Sequence, residues 1–490
     1  MASDDIAWCT ATRLTAALAA REVSAVELLD HHLERVERLD GSVNAVVTKN
    51  VEAARSAADQ ADAAIARGER KGPLHGLPMT IKDSIEVVGM PTTSGAPELR
   101  EHMPARHADT VQRLHDAGAI FFGKTNLPLY AGDFQSYNEV YGTTNNPWNF
   151  ERVPGGSSGG SAAALAAGLT PLELGSDIGG SIRNPAHYCG VYGHKPSRGI
   201  VSGRGHIPGP PGCLRDPDLA VLGPLARAPE DLELALDVLV APRPEDAGAW
   251  RLELPPPRHE RLADFRVAVW LDDAAAPPME AASAQLHQGV VERLAAAGMK
   301  IDAAARPGFD PAESHDGYCR LLYGEMGAGL PPDALAGFDG ALSALPAEER
   351  SLISQMMRGA SGRHRDWTRD DEARQHLRAR WADFFGDWDV LLCPVMPTSA
   401  FPHDHTPFQS RTIEIDGQSV EYGQQVFWAG LATVAYLPST VVPCGRTPEG
   451  LPVGLQVVAP YLEDRTSLRF ARLLEREGMI PGFQAPPDFL

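Results

Sequence analysis

Two glycine-flanked serine sites follow each other closely in this chain, and a lysine precedes them at the end of a short apolar segment. The sites are residues 155–160 with Ser157 and residues 175–183 with Ser181, and the lysine is Lys82. A serine hydroxyl becomes a good nucleophile when a neighbouring base accepts its proton, and a lysine is such a base when it is neutral. Glycines permit positive φ and let successive N–H groups point at one oxygen. Together these features favour nucleophilic catalysis over two glycine-rich turns packed against a sheet.

Two other motifs match the sequence, but the residues around them do not have the structure that each motif requires. Residues 118–125 fit the phosphate-loop pattern G-x-x-x-x-G-K-[ST], but their centre is typical of an apolar strand, and Pro128 interrupts the helix that should follow. Residues 156–160 fit the nucleophile elbow G-x-S-x-G, but the residues before them make a poor strand. No Ser-x-x-Lys pair, the signature of another serine–lysine class, occurs. We therefore do not expect nucleotide binding or an α/β-hydrolase elbow.

The histidines and cysteines indicate no cofactor. His187, Cys189 and His194 lie close together, but no H-E-x-x-H or C-x-x-C motif accompanies them, so we interpret them as packing residues and expect no metal. The six cysteines are scattered without regular spacing. This pattern favours reduced thiols and a cytoplasmic location.

Composition excludes several classes of protein. Of the 490 residues, 43% are hydrophobic and 22% charged, which excludes a disordered chain or a fibrous repeat. Lys and Arg number 44 against 64 Asp and Glu, so the formal net charge of −20 has the wrong sign for a nucleic-acid partner. The N-terminus lacks the basic and apolar regions of a signal peptide, and no apolar stretch is long enough for a membrane helix. We expect no nucleic-acid partner and no membrane partner.

Helices and strands alternate along the chain. A capping box at residues 24–27 begins a helix with apolar residues at helical spacing, and an alanine-rich helix is predicted at 50–67. A short strand at 76–82, a helix at 109–117 and a strand at 120–122 follow. Later strands are predicted at 265–270, 389–393 and 454–458. This alternation predicts an α/β fold.

The domain organisation is predicted to be a single large domain over residues 1–490. Within it we expect five parts: N-terminal helices at 1–70, a core at 71–235, a Pro-rich and charged linker at 242–259, a variable, mainly helical substrate lobe at 260–385, and a C-terminal part at 386–490 that returns to the sheet.

The sequence GGSSGGSAAALAAG, followed by GSDIGGSIRNPAHYCGVYGHKPS, closely resembles the amidase signature family. Weaker agreement extends over roughly residues 10–235 and 385–475. The resemblance implies a central mixed, twisted β-sheet covered by helices on both faces. It also implies an amidase that needs no cofactor and acts on a small-molecule amide, as a monomer or homodimer.

The resemblance further implies a serine–serine–lysine triad. In this sequence Ser181 would be the nucleophile and Lys82 would be the base. Ser157 would relay the proton, and the peptide bond that precedes Ser157 would be cis. The backbone N–H groups of Ile178, Gly179, Gly180 and Ser181 would stabilise the oxyanion, each contributing roughly 3 kcal/mol.

Three neighbours of the triad have expected supporting roles. Asp177 and Arg183 would form a pair that fixes the shape of the loop, and Ser158 would join the hydrogen-bond network.

Substrate contacts are predicted from the segments that flank the core. They are Tyr130, Gln135, Ser136, Trp428 and Tyr436, although each fits core packing equally well. Leu127 and Tyr130 suggest an apolar pocket that accepts an aromatic group, as in aryl acylamidases, with ester or carbamate hydrolysis as further activities.

The alternative function is the glutamine-hydrolysing A subunit of a tRNA-dependent amidotransferase. Those subunits usually have an acidic Met-Asp-Glu-Phe segment where this chain has Leu127-Pro-Leu-Tyr130. Tyr436 and Thr433 also replace residues that are common in relatives, which affects the choice of substrate and leaves the triad intact.

Overall fold

The computed structural model describes residues 3–346 and 348–490. Its helices are α1 Ser3–Trp8, α2 Ala11–Ala20, α3 Ala25–Val43, α4 Val51–Ala66, α5 Asp109–Asp116, α6 Gly159–Ala166, α7 Arg183–Cys189, α8 Pro229–Leu239, α9 Ala281–Ala296, α10 Pro311–Met326, α11 Pro332–Ser343, α12 Leu352–Ala360, α13 His364–Asp387, α14 Phe427–Val434 and α15 Asp464–Arg476. Its strands are β1 Val46–Lys49, β2 Pro78–Lys82, β3 Ile120–Thr125, β4 Tyr137–Asn138, β5 Gly142–Thr143, β6 Leu172–Asp177, β7 Tyr192–Lys195, β8 Val221–Ala226, β9 Arg266–Val269, β10 Lys300–Asp302, β11 Val390–Pro394, β12 Thr412–Ile415, β13 Gln418–Glu421, β14 Ser439–Arg446 and β15 Pro452–Val458.

Within the described residues, eleven of these strands form one mixed sheet. Its order is β1-β3-β2-β6-β8-β7-β14-β15-β11-β9-β10. Strand β2 runs parallel to β3 and β6, whereas β8, β7, β14 and β15 pair antiparallel with their neighbours. Helices flank the sheet, so the predicted single-domain α/β fold is confirmed. The segment 260–385, predicted as a variable substrate lobe, supplies the edge strands β9 and β10, so the lobe is joined directly to this sheet.

Local sequence signals explain several of these elements. Helix α3 begins at the predicted capping box, in which Ser24 and Glu27 satisfy each other's backbone N–H groups. The phosphate-loop match at 118–125 falls largely on strand β3, as its apolar centre predicts. Strands β2 and β6 are buried along their whole length, because neighbouring strands and helices cover both of their faces.

Helix α6 places the glycine-rich segment beside the sheet. Its eight residues are all buried, and they are glycine, alanine and serine apart from Leu165. Such small side chains allow a helix to approach a sheet closely. No helix in the described part of the chain has the length and apolarity needed to cross a membrane.

Candidate active site

Lys82 ends strand β2 inside a cage of hydroxyl groups. Its Nζ lies 2.6 Å from Ser157 Oγ, 3.0 Å from Ser158 Oγ and 2.9 Å from Ser176 Oγ. The lysine is completely buried, and none of the ion pairs in the described residues involves it. The structure thus brings together residues from two strands and from the glycine-rich segment between them.

Burial changes the acidity of this lysine. Removal from water disfavours the ammonium form and lowers the pKa of Lys82 to about 7, although the negative charges of Asp177 and Glu173 oppose the shift. A substantial fraction of Lys82 is therefore neutral near neutral pH. A neutral amine in contact with a serine hydroxyl can accept its proton.

Close backbone packing holds Ser157 beside Lys82. The Gly156–Ser157 peptide bond is cis. A Cβ atom at Gly156 would lie 2.4 Å from the carbonyl oxygen of Gln135, so only glycine fits there. Ser136 Oγ donates to the Gly155 carbonyl at 3.0 Å and accepts the Gly159 N–H at 3.1 Å, which fixes the loop on both sides of Ser157.

Ser181 lies in the loop between β6 and α7. Its side chain is buried at 8% exposure, and its carbonyl oxygen accepts the Ser158 N–H at 3.1 Å. Gly180, just before it, has φ +97°, a conformation that favours glycine. These contacts place Ser181 next to the hydroxyl cage around Lys82.

The predicted oxyanion loop has one donor already in use. The Gly180 N–H donates to Asp177 Oδ1 at 2.9 Å. This bond leaves the N–H groups of Ile178, Gly179 and Ser181 as the candidate donors to a substrate oxygen. On the other side of the loop, the Tyr318 hydroxyl donates to the Ile178 carbonyl at 2.9 Å. Because C=O and N–H point in opposite directions in a trans peptide, this bond fixes the direction of the Gly179 N–H.

Asp177 and Arg183 form a buried ion pair that shapes this loop. Arg183 Nη2 donates to Asp177 Oδ1 at 2.9 Å, and Nε donates to Oδ2 at 3.0 Å. Burial alone would raise the pKa of Asp177, but the charge and hydrogen bonds of Arg183 outweigh it and lower that pKa to about 2. Arg183 Nη2 also donates to Thr433 Oγ1 at 2.7 Å, so Thr433 supports the pair.

Two of the predicted substrate contacts serve the scaffold around the site. Gln135 is fully buried, and its amide bonds the backbone of Asp404 in both directions, at 2.7 and 3.0 Å. Ser136 fixes the loop around Ser157, as described above. Both hold the walls of the site together.

The three aromatic residues predicted to contact substrate have partners of their own. Tyr130 is 36% exposed, and its hydroxyl donates to Glu98. Tyr436 donates to Asp218, and the guanidinium of Arg374 lies 4.6 Å from its ring centroid. Trp428 is fully buried and packs edge-on against Trp270 and Phe427. These contacts are those of core and surface packing.

Sequence reasoning missed Ser176 and His206. Ser176 lies within the second glycine-rich motif, and its position in β6 directs it towards Lys82. His206 comes from a loop 30 residues further on, and its Nε2 lies 3.0 Å from Ser176 Oγ. Strand alternation could have identified Ser176, but no sequence signal indicated His206.

The histidines considered as metal ligands bond other groups. His187 Nδ1 accepts the Gly454 N–H at 2.9 Å and its Nε2 donates to the Thr398 carbonyl oxygen at 2.9 Å, and His194 bonds Asp464 and Thr440. Among the described residues, no group of three His, Cys, Asp or Glu side chains is arranged to hold a metal ion.

The mixed sheet and the buried lysine–serine cluster are those of a hydrolytic α/β enzyme, one that acts on amide C–N bonds. The chain belongs to the amidase family, whose family model matches residues 27–468. This assignment confirms the family resemblance and the prediction of an amidohydrolase.

Individual relatives extend over almost the full length. The chain is 34% identical to the A subunit of glutamyl-tRNA(Gln) amidotransferase from Anaeromyxobacter dehalogenans (strain 2CP-C), over 96% of each chain. It is also 34% identical to the corresponding subunit from Thermus thermophilus, covering 97% of this chain and 98% of the relative. A solved structure described as a vestigial protein complex, which reveals the origins of an s-triazine catabolic enzyme, superposes with a TM-score of 0.80 at 28% identity. It covers 97% of this chain and 100% of that chain.

These relatives correct the predicted partners. From the sequence we expected a small-molecule amide substrate and a monomer or homodimer, with no nucleic-acid partner and no membrane partner. Instead, the two sequence relatives named above are subunits of glutamyl-tRNA(Gln) amidotransferases, and the structural relative belongs to a protein complex. The prediction of a monomer or homodimer was wrong because it rested on the family resemblance, and proteins that share a fold and a site differ in the partners they assemble with.

Proposed function

We propose that this chain hydrolyses a carboxylic amide through an acyl-enzyme on Ser181, with Lys82 as the general base and Ser157 as the proton relay. The observation that carries the proposal is the 2.6 Å contact between Lys82 Nζ and Ser157 Oγ, made by a lysine whose pKa burial lowers to about 7. Among the described residues no carboxylate lies within ion-pair distance of this lysine, so only the more distant charges of Asp177 and Glu173 favour its ammonium form, and burial outweighs them.

The residues support a two-step reaction. Neutral Lys82 accepts the proton of Ser157, which takes the proton of Ser181 as Ser181 Oγ forms a bond to the amide carbon. The N–H groups of Ile178, Gly179 and Ser181 stabilise the oxyanion. Ser157 then returns a proton to the departing nitrogen as the C–N bond breaks. Water attacks the resulting ester, releases the acid and restores the Ser181 hydroxyl.

For the substrate we favour glutamine, hydrolysed by this chain within an amidotransferase complex. The two A subunits of glutamyl-tRNA(Gln) amidotransferases described above align with this chain over nearly its whole length at 34% identity. The aryl-amide prediction depended on Leu127 and Tyr130, but Leu127 is fully buried and the Tyr130 phenol bonds the carboxylate of Glu98. Tyr436, predicted as a further substrate contact, bonds the carboxylate of Asp218. The proposal includes a cytoplasmic location, which the scattered cysteines support.

A second candidate is an amide with an apolar acyl group, because the walls beside the oxyanion loop are apolar. A Cβ atom at Gly179 would lie 3.5 Å from a Val426 methyl group, and one at Gly180 would lie 3.0 Å from the Ala429 methyl group. The Tyr318 hydroxyl, also 3.5 Å from that position at Gly179, already donates to the Ile178 carbonyl. Charged groups of a free amino acid would find few partners among these side chains.

Hydroxylamine trapping distinguishes the two candidates, because hydroxylamine converts an acyl-enzyme into a hydroxamate whose mass identifies the acyl group. The chain is incubated with glutamine and with aliphatic and aromatic amides, alone and with the other subunits of an amidotransferase, with Ser181→Ala as the control. Glutamyl hydroxamate that needs the added subunits supports the favoured substrate, whereas an apolar hydroxamate from the chain alone supports the second. Equal hydroxamate from the Ser181→Ala protein would refute the acyl-enzyme.

A further inference from the structure

The cage around Lys82 holds three hydroxyls, whereas a neutral lysine can accept one proton. An ammonium group donates three hydrogen bonds, one to each of Ser157, Ser158 and Ser176. A neutral amine keeps two N–H groups and gains one lone pair, so one hydroxyl must then donate to it. The proposed reaction requires that this donor be Ser157.

The proton of Ser158 already has another acceptor. Ser158 Oγ donates to the carbonyl oxygen of Ser176 at 3.3 Å while it accepts from Lys82 at 3.0 Å. A hydroxyl has a single proton, so Ser158 faces Lys82 as an acceptor.

The proton of Ser176 has an acceptor in His206. Ser176 Oγ lies 2.9 Å from Lys82 Nζ and 3.0 Å from His206 Nε2. Accepting from the lysine and donating to the imidazole satisfies both contacts with one proton, provided that Nε2 carries no hydrogen. Burial, together with the charge of Lys82, lowers the pKa of His206 to about 3, so the ring is neutral and can accept.

The backbone holds His206 in place against the turn that follows Lys82. The Ile207 N–H donates to the Ser84 carbonyl at 2.8 Å, and the Glu86 N–H donates to the Gly205 carbonyl at 2.9 Å. Gly205 has φ +83°, and a Cβ atom there would lie 2.6 Å from Ala108 Cα. Gly205 thus packs against the start of α5 as closely as a glycine allows, which fixes the residue before His206.

We infer that His206 is a positioning residue: by accepting the Ser176 proton it leaves Ser157 as the hydroxyl that donates to Lys82. This inference rests on the proposed function, since it assigns the direction of the proton in the same site. Without the acceptor, the Ser176 proton is free to turn towards the Lys82 lone pair and compete with Ser157.

Fluorophosphonate labelling tests the inference without a known substrate. Ser181 Oγ bonds to phosphorus, fluoride leaves, and the serine proton passes to the base. Intact-mass spectrometry gives the labelling rates of the wild type, His206→Gln and His206→Met, with Ser181→Ala as the control. Gln places an acceptor oxygen near the position of Nε2, whereas Met fills the space without one. We expect labelling about tenfold slower for Met and within about twofold of wild type for Gln.

A double variant tests the route through Ser176. In a Ser176→Ala background the competing proton is gone, so His206→Met should slow labelling no further. Equal rates for wild type and His206→Met, a Gln variant as slow as Met, or an undiminished Met effect without Ser176 would each overturn the inference. If the Met variant does not fold, His206→Asn replaces it, because its shorter amide does not reach the Nε2 position. A wild type that labels no faster than Ser181→Ala would overturn the proposed function and this inference with it.

Discussion

Two completely buried lysines lie on adjacent parallel strands of the sheet, and their surroundings differ in one respect. Lys124 on β3 bonds the carboxylate of Asp83 at 3.1 Å and the hydroxyl of Thr92 at 3.0 Å. Lys82 on β2 meets three serine hydroxyls. Burial lowers the pKa of both lysines, but the Asp83 charge counters the effect at Lys124. A carboxylate partner keeps a buried lysine charged, whereas a cage of hydroxyls lets it release its proton.

Replacing each lysine with methionine separates these two roles. In Lys82→Met the general base is lost, so kcat/KM for amide hydrolysis should fall about 10³-fold or more. Folding stability should change by no more than about 1–2 kcal/mol, because no ionic partner is left behind. Steady-state kinetics and urea unfolding measure the two quantities. A variant that keeps a tenth of the wild-type kcat/KM would show that another group is the base.

Lys124→Met should act mainly on stability. It leaves the Asp83 carboxylate buried, with Thr93 donating its N–H and hydroxyl. Breaking a buried pair in this way costs about 3–5 kcal/mol. The double variant Lys124→Met/Asp83→Asn removes the unpaired charge. It should recover most of the lost free energy of unfolding, as measured by urea unfolding. A double variant no more stable than the single one would show that packing around Lys124 matters more than its charge.

The pH profile of kcat/KM should show the titration of Lys82. The neutral lysine is the active form, so kcat/KM should rise as pH increases through about 7 and fall about tenfold per pH unit below it. Burial also raises the pKa of nearby Glu173 to about 7, so Glu173→Gln is the matched control. It should keep an acid limb, moved to lower pH because the Glu173 charge no longer raises the pKa of Lys82. Loss of the limb in that variant would assign the titration to Glu173.

Much of the fold follows from local patterns that tertiary contacts do not alter. The capping box predicts the start of α3, and apolar runs between glycines and prolines predict β2 and β3. The order of strands in the sheet could not be predicted. Strand β14 lies between β7 and β15, although more than 200 residues separate β7 from β14 along the chain. Such pairing depends on contacts that a local window does not contain.

The predicted substrate contacts also depend on residues that are distant in the sequence. Tyr436 was an aromatic residue with no visible partner in the sequence, and the fold gives it Asp218, 218 positions away. The phenol of Tyr130 likewise donates a hydrogen bond to Glu98. An aromatic side chain serves a core, a surface or a pocket equally well, so its role depends on which elements pack against it.

The sequence by itself determined the family, because the glycine-rich motifs that carry the resemblance are local patterns. Through that resemblance it also predicted Lys82, Ser157 and Ser181 as the triad. Only the tertiary structure decided which hydroxyls surround the lysine and which groups those hydroxyls contact in turn. Ser176 and His206 meet through a hydrogen bond between residues 30 apart. The pKa of Lys82 depends on burial from every side, which exists once the sheet and its helices have assembled.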